Sequence, residues 1–258
     1  ALPQTAIDAA QKAGKVLKEG FGTDYTISSK SQIHDLVTEY DHKSEAIIIE
    51  TIRSSFPDHQ ILTEESGHHA SDGDITWIID PLDGTAQYST GGDDFAVHIA
   101  LWEASSPNPS QISVASVAVP ARNELWSMDE PVQRYQPNGT PIRILVSRSR
   151  PPREIPAVIK KLEEAFPGRG PVEVIPMGSV GAKVGAILAD KADVYFNSGG
   201  FYEWDLAAPL GIAVHNGLSV TDCTGNPIEL NKVDLKVNDI LICRPELTAI
   251  IVDALETK

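Results

Sequence analysis

Trp77-Ile-Ile-Asp-Pro-Leu-Asp-Gly-Thr85 decides how this chain reads. An apolar, strand-like run stops in two carboxylates, Asp80 and Asp83, three residues apart. Pro81 is expected to end the strand, and Gly84 lets the backbone turn tightly. The two carboxylates and the Leu82 carbonyl between them can converge on a hard cation. Oxygen ligands of this kind suit Mg²⁺. A helix beginning at Gly84-Thr85 would set free N–H groups beside that cation, where a phosphate can bind. Standing alone, the stretch is equally an ordinary Asp-Gly turn after a strand.

Two other acidic segments change that balance. Thr63-Glu-Glu-Ser66 also follows a short strand, and Tyr202-Glu-Trp-Asp-Leu-Ala-Ala208 places Asp205 at a helix start. Each has a plain alternative: a solvated charge pair for Glu64-Glu65, and simple helix capping for Asp205.

The surrounding pattern predicts an α/β fold in two parts. In the first, Thr5–Glu19 and residues 41–55 read as helices. Between them, residues 22–34 read as a Ser- and Lys-rich loop. Strand signals follow at 60–63, 75–80, 95–102, 112–119 and 124–128, giving helices on a largely antiparallel sheet. Residues 129–141 are rich in Pro, Gln, Asn and Gly and mark a boundary. Beyond it strands (142–147, 172–175, 193–196, 219–222, 240–243) alternate with helices (154–165, 180–189, 205–215, 246–255). The expected division is an α+β metal-binding half, 1–135, and an α/β substrate-binding half, 136–258.

Composition narrows the function. The 258 residues are 41% hydrophobic and 22% charged, enough for a packed core. No apolar run reaches the roughly 18 residues a membrane crossing needs. A basic patch leading into an apolar stretch is absent from the N-terminus, so a cytoplasmic location is expected. Cys223 and Cys243 lie in or near apolar segments without metal spacing, and read as reduced, buried thiols. The formal charge of −15 argues against a nucleic-acid polymer as partner. A phosphorylated small molecule can still bind if cations first neutralise the site. Five histidines suggest no chemistry: His98 reads as a satisfied core or sheet residue, and His34, His42, His68 and His69 sit in polar surroundings.

Asp35-Leu-Val-Thr-Glu-Tyr-Asp41, Glu64-Glu65, Asp80-Pro-Leu-Asp-Gly-Thr85 and Trp204-Asp205, in this order and spacing, resemble the inositol monophosphatase superfamily. The resemblance spans nearly the whole chain. It implies a layered αβαβα sandwich and a metal-dependent, lithium-sensitive phosphatase using two or three Mg²⁺ ions. It makes Glu64, Asp80, Asp83, Asp205 and the Leu82 carbonyl metal ligands. Thr85 would hold and activate the attacking water, oriented by Asp41 or Glu64, and the Gly84 and Thr85 amides would hold the phosphate. Lys30 sits five residues before Asp35, as a loop Lys does in the inositol enzymes; a solvated surface Lys is the alternative. Relatives include monomers and dimers, and a homodimer is the expected assembly.

The substrate depends on other residues. Inositol enzymes carry a Glu seven residues before the Trp-Asp aspartate, and Ser198 stands there. Pro176-Met-Gly-Ser-Val-Gly-Ala-Lys183 resembles instead the Gly-Ser…Lys segment of the 3′(2′),5′-bisphosphate nucleotidases. Asp93–Trp102, Val146–Pro152 and Gly199–Asp205 are similar to that branch as well. The resemblance puts Gly178, Ser179, Lys183, Arg148 and Arg150 near a small phosphate ester, with Tyr202 or Phe201 stacked on a base. Ala86-Gln87-Tyr88 departs from the branch, where Lys or Arg, Glu and Phe are usual; inositol enzymes have Asn where Gln87 stands. The expected reaction is removal of the 3′-phosphate of 3′-phosphoadenosine 5′-phosphate. An inositol or sugar monophosphatase is the alternative enzyme, and a non-catalytic phosphate sensor the alternative of another class.

Overall fold

Alanine spacing builds the first helix. Ala6, Ala9, Ala10, Ala13 and Leu17 recur at three- and four-residue steps and form the fully buried face of α1 (Leu2–Gly20). A side chain at Gly20 would collide with the ring of Tyr40 and the hydroxyl of Tyr88, so only glycine fits where α1 meets its neighbours. The structure, a computed structural model, describes residues 1–22, 30–64, 73–129 and 141–256, without the side chains of 30–33, 35 and 36. Most of the expected boundary at 129–141, part of the loop at 22–34, and Glu65, His68 and His69 therefore lie outside the described residues.

The second helix, α2 (Lys30–Ser55), begins well before the expected residue 41. Residues 30–40 are mostly polar, and of them only Val37 and Tyr40 are seen to pack on the core. Ile33, Leu36, Val37 and Tyr40 already recur at helical spacing in the sequence, ahead of Ile48 and Ile52, which are fully buried.

The rest of the first half is β1 (Gln60–Leu62), β2 (Ile75–Asp83), α3 (Thr85–Ser89), β3 (Ala96–Glu103), β4 (Ile112–Val119) and β5 (Glu124–Ser127). The five strands form one sheet in chain order, with β1 parallel to β2 and the others antiparallel. In the second half come β6 (Arg143–Val146), α4 (Ile155–Ala165), β7 (Glu173–Pro176), α5 (Val180–Leu188), β8 (Val194–Asn197), β9 (Phe201–Tyr202), α6 (Glu203–His215), β10 (Ser219–Thr221), β11 (Lys236–Val237), β12 (Ile240–Cys243) and α7 (Thr248–Glu256). They give a second sheet, ordered β10-β12-β8-β6-β7, with β6 parallel to both β7 and β8. The two-residue strands β9 and β11 pair by themselves.

Period-2 alternation sorts side chains into layers. In the first sheet Trp77, Ile79, Val97 and Ile99 face α1 and α2, whereas Ile78, Ala96 and Ala100 face α5 and α6. In the second, Leu145, Tyr195 and Ile242 face that same middle layer, and Ile144, Val194 and Leu241 face α4 and α7. The order is helices, sheet, helices, sheet, helices, the αβαβα sandwich the sequence resemblance implies.

A buried ionic cluster fixes one end of the middle layer. Asp193, fully buried, accepts from the Arg143 backbone N–H at 2.8 Å and from Arg143 Nε at 3.1 Å. Arg244, 4% exposed, donates to the Ile187 carbonyl in the last turn of α5 at 2.7 Å. A cation suits that C-terminal position. Held there, α5 presents its other end to the edge where β2 terminates.

Candidate active site

The strand that opens the sequence reading does not end at Pro81. β2 continues to Asp83, and a register shift between Asp80 and Asp83 takes up the irregularity. Within it the Leu82 N–H donates to Asp80 Oδ1 at 3.1 Å, and Ser44 Oγ of α2 donates to the Pro81 carbonyl at 2.8 Å. Gly84 then adopts φ 87°, and a Cβ there would press on the Asp94 carbonyl oxygen. A left-handed residue with no room for a side chain has to be glycine. The short helix α3 follows, with Thr85 exposed in its first turn.

Asp205 reaches the same place from α6. It lies in the helix's first turn, where its Oδ2 accepts from the Tyr202 N–H at 2.9 Å. Its capping role and its place in the site therefore coexist. Ligand-capable oxygens of Asp80, Asp83 and Asp205 all lie within 4.8 Å of one another. Glu64 is exposed at the end of β1 and outside that trio, though its charge acts on Asp205. Asp41 is partly exposed, and its charge acts on Asp80.

Three converging carboxylates repel one another. Asp80 is 5% exposed, and burial, then the charges of Asp83 and Asp205, push its carboxyl well above the usual range. Burial, then Asp83, push Asp205 up to about 7. An all-oxygen, like-charged and partly buried donor set fits a hard divalent cation. The stability of the metal-free protein should accordingly fall as pH rises from about 4 to about 7. Across that window the folded state still holds protons that the unfolded chain has released. A saturating divalent cation should restore roughly 5–10 °C of melting temperature at pH 8 and far less at pH 5, read by calorimetry. Equal gains at both pH values would mean the cation binds elsewhere.

Beside the trio lies a cleft of about 210 Å³, lined by Asp83, Thr85, Arg148, Ser179, Lys183 and Asp205, with Gly84, Gly178, Arg150 and Phe201 also on its wall. Lys183, on α5, is 4% exposed and sits 4.3 Å from the Tyr195 ring centroid. Burial lowers its pKa to about 8, against the charges of Asp83 and Asp94. Its ammonium has no hydrogen-bond acceptor among the described residues. Tyr202 stacks on Trp204 at 4.6 Å, so of the two neighbouring aromatics it is Phe201 that lines the cleft. Ser198 is turned to a separate pocket with Glu154 and Cys223. Both cysteines are free thiols, pushed up to about 12 by burial.

His98 is the core and sheet residue expected. Fully buried in β3, it places Nδ1 3.3 Å from the Trp204 carbonyl and Nε2 3.3 Å from Asp83 Oδ2. Nε2 has no hydrogen-bond partner among the described residues, and burial lowers the imidazole pKa against the pull of Asp83. Asp94, which sequence reasoning passed over, is also buried at the site's edge. No helix among the described residues is long and apolar enough to cross a membrane.

Comparison with known proteins agrees with this geometry. The model of the inositol monophosphatase family matches residues 2–258. A 3′-phosphoadenosine 5′-phosphate phosphatase of Mycobacterium bovis is 34% identical, covering 94% of this chain and 89% of that protein. The Nus factor SuhB of Salmonella typhimurium is also 34% identical, over 85% of this chain and 84% of that one. The crystal structure of CysQ from Bacteroides thetaiotaomicron superposes with a TM-score of 0.75 at 25% identity, covering 94% and 96% of the two chains.

Proposed function

The chain belongs to the inositol monophosphatase family, and from that membership we propose a magnesium-dependent phosphomonoesterase that converts 3′-phosphoadenosine 5′-phosphate and water to AMP and phosphate. The observation that carries the choice of substrate is Lys183. It is an almost fully buried ammonium with no acceptor among the described residues, on the wall of the cleft that adjoins the carboxylate trio. Arg148 and Arg150 line the same cleft, in a chain of net charge −15. A simple monoester brings one phosphate, which the metal site would occupy. Three further cations beside it suit a substrate with a second phosphate.

Asp80, Asp83 and Asp205 would hold Mg²⁺, joined by Glu64 and the Leu82 carbonyl. Bound magnesium offsets the charge of the phosphate dianion and lowers the pKa of water. Thr85 would hold and activate the attacking water, oriented by Asp41 or Glu64, and the Gly84 and Thr85 amides would hold the departing phosphate. Gly178, Ser179, Lys183 and Arg148 would grip the part of the nucleotide that stays on the product, with Phe201 nearest the base. The name of the mycobacterial relative supports this substrate, and lithium inhibition goes with the family resemblance.

The second reading is an inositol or sugar monophosphatase. Against it stands Ser198, which occupies the position of a sugar-binding Glu and faces another pocket. The test compares turnover of 3′-phosphoadenosine 5′-phosphate and of inositol 1-phosphate at the same magnesium concentration, with products separated chromatographically. AMP as product and faster turnover of the nucleotide are expected. Faster turnover of the inositol ester, or loss of the 5′-phosphate instead, would overturn the assignment.

A further inference from the structure

Asp94 stands just before β3, in the first half of the chain, and is 1% exposed. It is no part of the carboxylate trio. Its Oδ2 accepts two hydrogen bonds, from the Gly178 N–H at 2.5 Å and from Arg148 Nε at 2.9 Å. Both donors belong to the second half of the chain and both line the cleft. Although burial alone would raise its carboxyl, the Gly178 N–H and the Arg148 guanidinium hold it below the usual range.

The segment that Asp94 holds is under strain. Ser179 has φ 60°, a left-handed conformation that costs a residue with a side chain on the order of 1–3 kcal/mol. Such a conformation persists where the surroundings over-determine it. Two carboxylates from the first half do so here. Asp94 takes the N–H of the residue before Ser179, and Asp83 Oδ2 takes the N–H of the residue after it, Val180, at 2.7 Å. Gln87 fills the remaining space against Gly178, where any side chain would strike its amide group.

Arg148 is half exposed, with its Nε committed to Asp94. Its two terminal nitrogens have no hydrogen-bond partner among the described residues, and the residue lines the cleft. One edge of the guanidinium is thus anchored by a buried carboxylate, and the other is left to an anion. A guanidinium fixed in this way loses less side-chain freedom on binding, so more of each hydrogen bond appears as affinity.

We propose that Asp94 is the positioning residue that gives the cleft its preference for a substrate bearing a second phosphate, by holding Arg148 and the Gly178-Ser179 turn as one rigid unit. This rests on the bisphosphate reading above and adds to it a residue that touches neither metal nor substrate. Asp94→Asn keeps an oxygen for the Gly178 N–H but loses the charge that anchors Arg148.

The experiment measures kcat/KM for 3′-phosphoadenosine 5′-phosphate and for adenosine 3′-phosphate, which lacks the second phosphate, and takes their ratio. In the unaltered protein the ratio should be well above one. Asp94→Asn should lower it about tenfold, through KM for the bisphosphate rather than kcat. Arg148→Met should lower it as well. The two together should do little more than either alone. A merely structural role for Asp94 would lower both substrates alike and leave the ratio in place, which would overturn the proposal. So would an Arg148→Met protein with an unchanged ratio, or full additivity of the two changes. A ratio near one in the unaltered protein would instead overturn the bisphosphate reading on which the proposal stands.

Discussion

Asp80→Asn should cut turnover on the order of 10³-fold and, at the same time, raise the melting temperature of the metal-free protein. The two effects have one cause. Asp80 is the most buried of the three converging carboxylates, and its ionised form is disfavoured by burial and by the charges of Asp83 and Asp205. In the metal-free protein near neutral pH that repulsion is a cost, and a neutral amide of the same shape relieves it. Relief of about 1 kcal/mol corresponds to roughly 2–4 °C in a domain of this size. With cation present the sign reverses. The amide offers one neutral oxygen in place of a charged ligand, and several kcal/mol of transition-state stabilisation is lost with it. Steady-state kinetics and calorimetry on the same preparation check both halves. Unchanged turnover in a folded Asp80→Asn protein would remove the carboxylate trio from the mechanism.

Lys183→Met should lower kcat/KM for 3′-phosphoadenosine 5′-phosphate roughly 100-fold, and affect adenosine 3′-phosphate far less. A hydrogen-bonded charge pair inside a protein is worth about 1.5–3 kcal/mol, and Lys183 is nine-tenths buried where an anion would meet it. Methionine keeps the volume against Tyr195 and removes a buried charge, so the fold should not suffer. The unaltered protein carries a matching pH signature. Burial brings the Lys183 ammonium down to about 8, so above that pH the free protein loses the cation. KM for the bisphosphate should therefore rise above pH 8, and in Lys183→Met that rise should disappear. Equal losses on both substrates would place Lys183 in the scaffold rather than at the second phosphate.

The trio was legible in the sequence because its members sit at element ends with short, distinctive surroundings. Asp80 and Asp83 follow an apolar strand, and Asp205 opens a helix. The layered sandwich was legible for a related reason, since β3, β4, β8 and β12 are short, mostly apolar runs set between polar segments. Two element bounds differ from the expected ones. The Ser- and Lys-rich start of α2 reads as loop despite the helical spacing of Ile33, Leu36, Val37 and Tyr40, and Pro81 reads as a strand end although the register shift carries β2 past it. The paired β9 and β11 are two residues each, too short to leave a period. Asp94 does not stand out in the sequence for another reason. The partners of Asp94 lie 54 and 84 residues away in the chain, and the Trp204 carbonyl lies 106 residues from His98. No local pattern encodes such a meeting; the crossing of α5 and α6 between two sheets creates it.

The most direct test of the account is an anomalous-scattering map of crystals grown with Mn²⁺ in place of Mg²⁺ and soaked with 3′-phosphoadenosine 5′-phosphate. The account predicts metal peaks at ligand distance from Asp80, Asp83 and Asp205, with the 3′-phosphate beside them and the 5′-phosphate at Lys183 and Arg148. Metal peaks elsewhere, or a nucleotide outside this cleft, would contradict it.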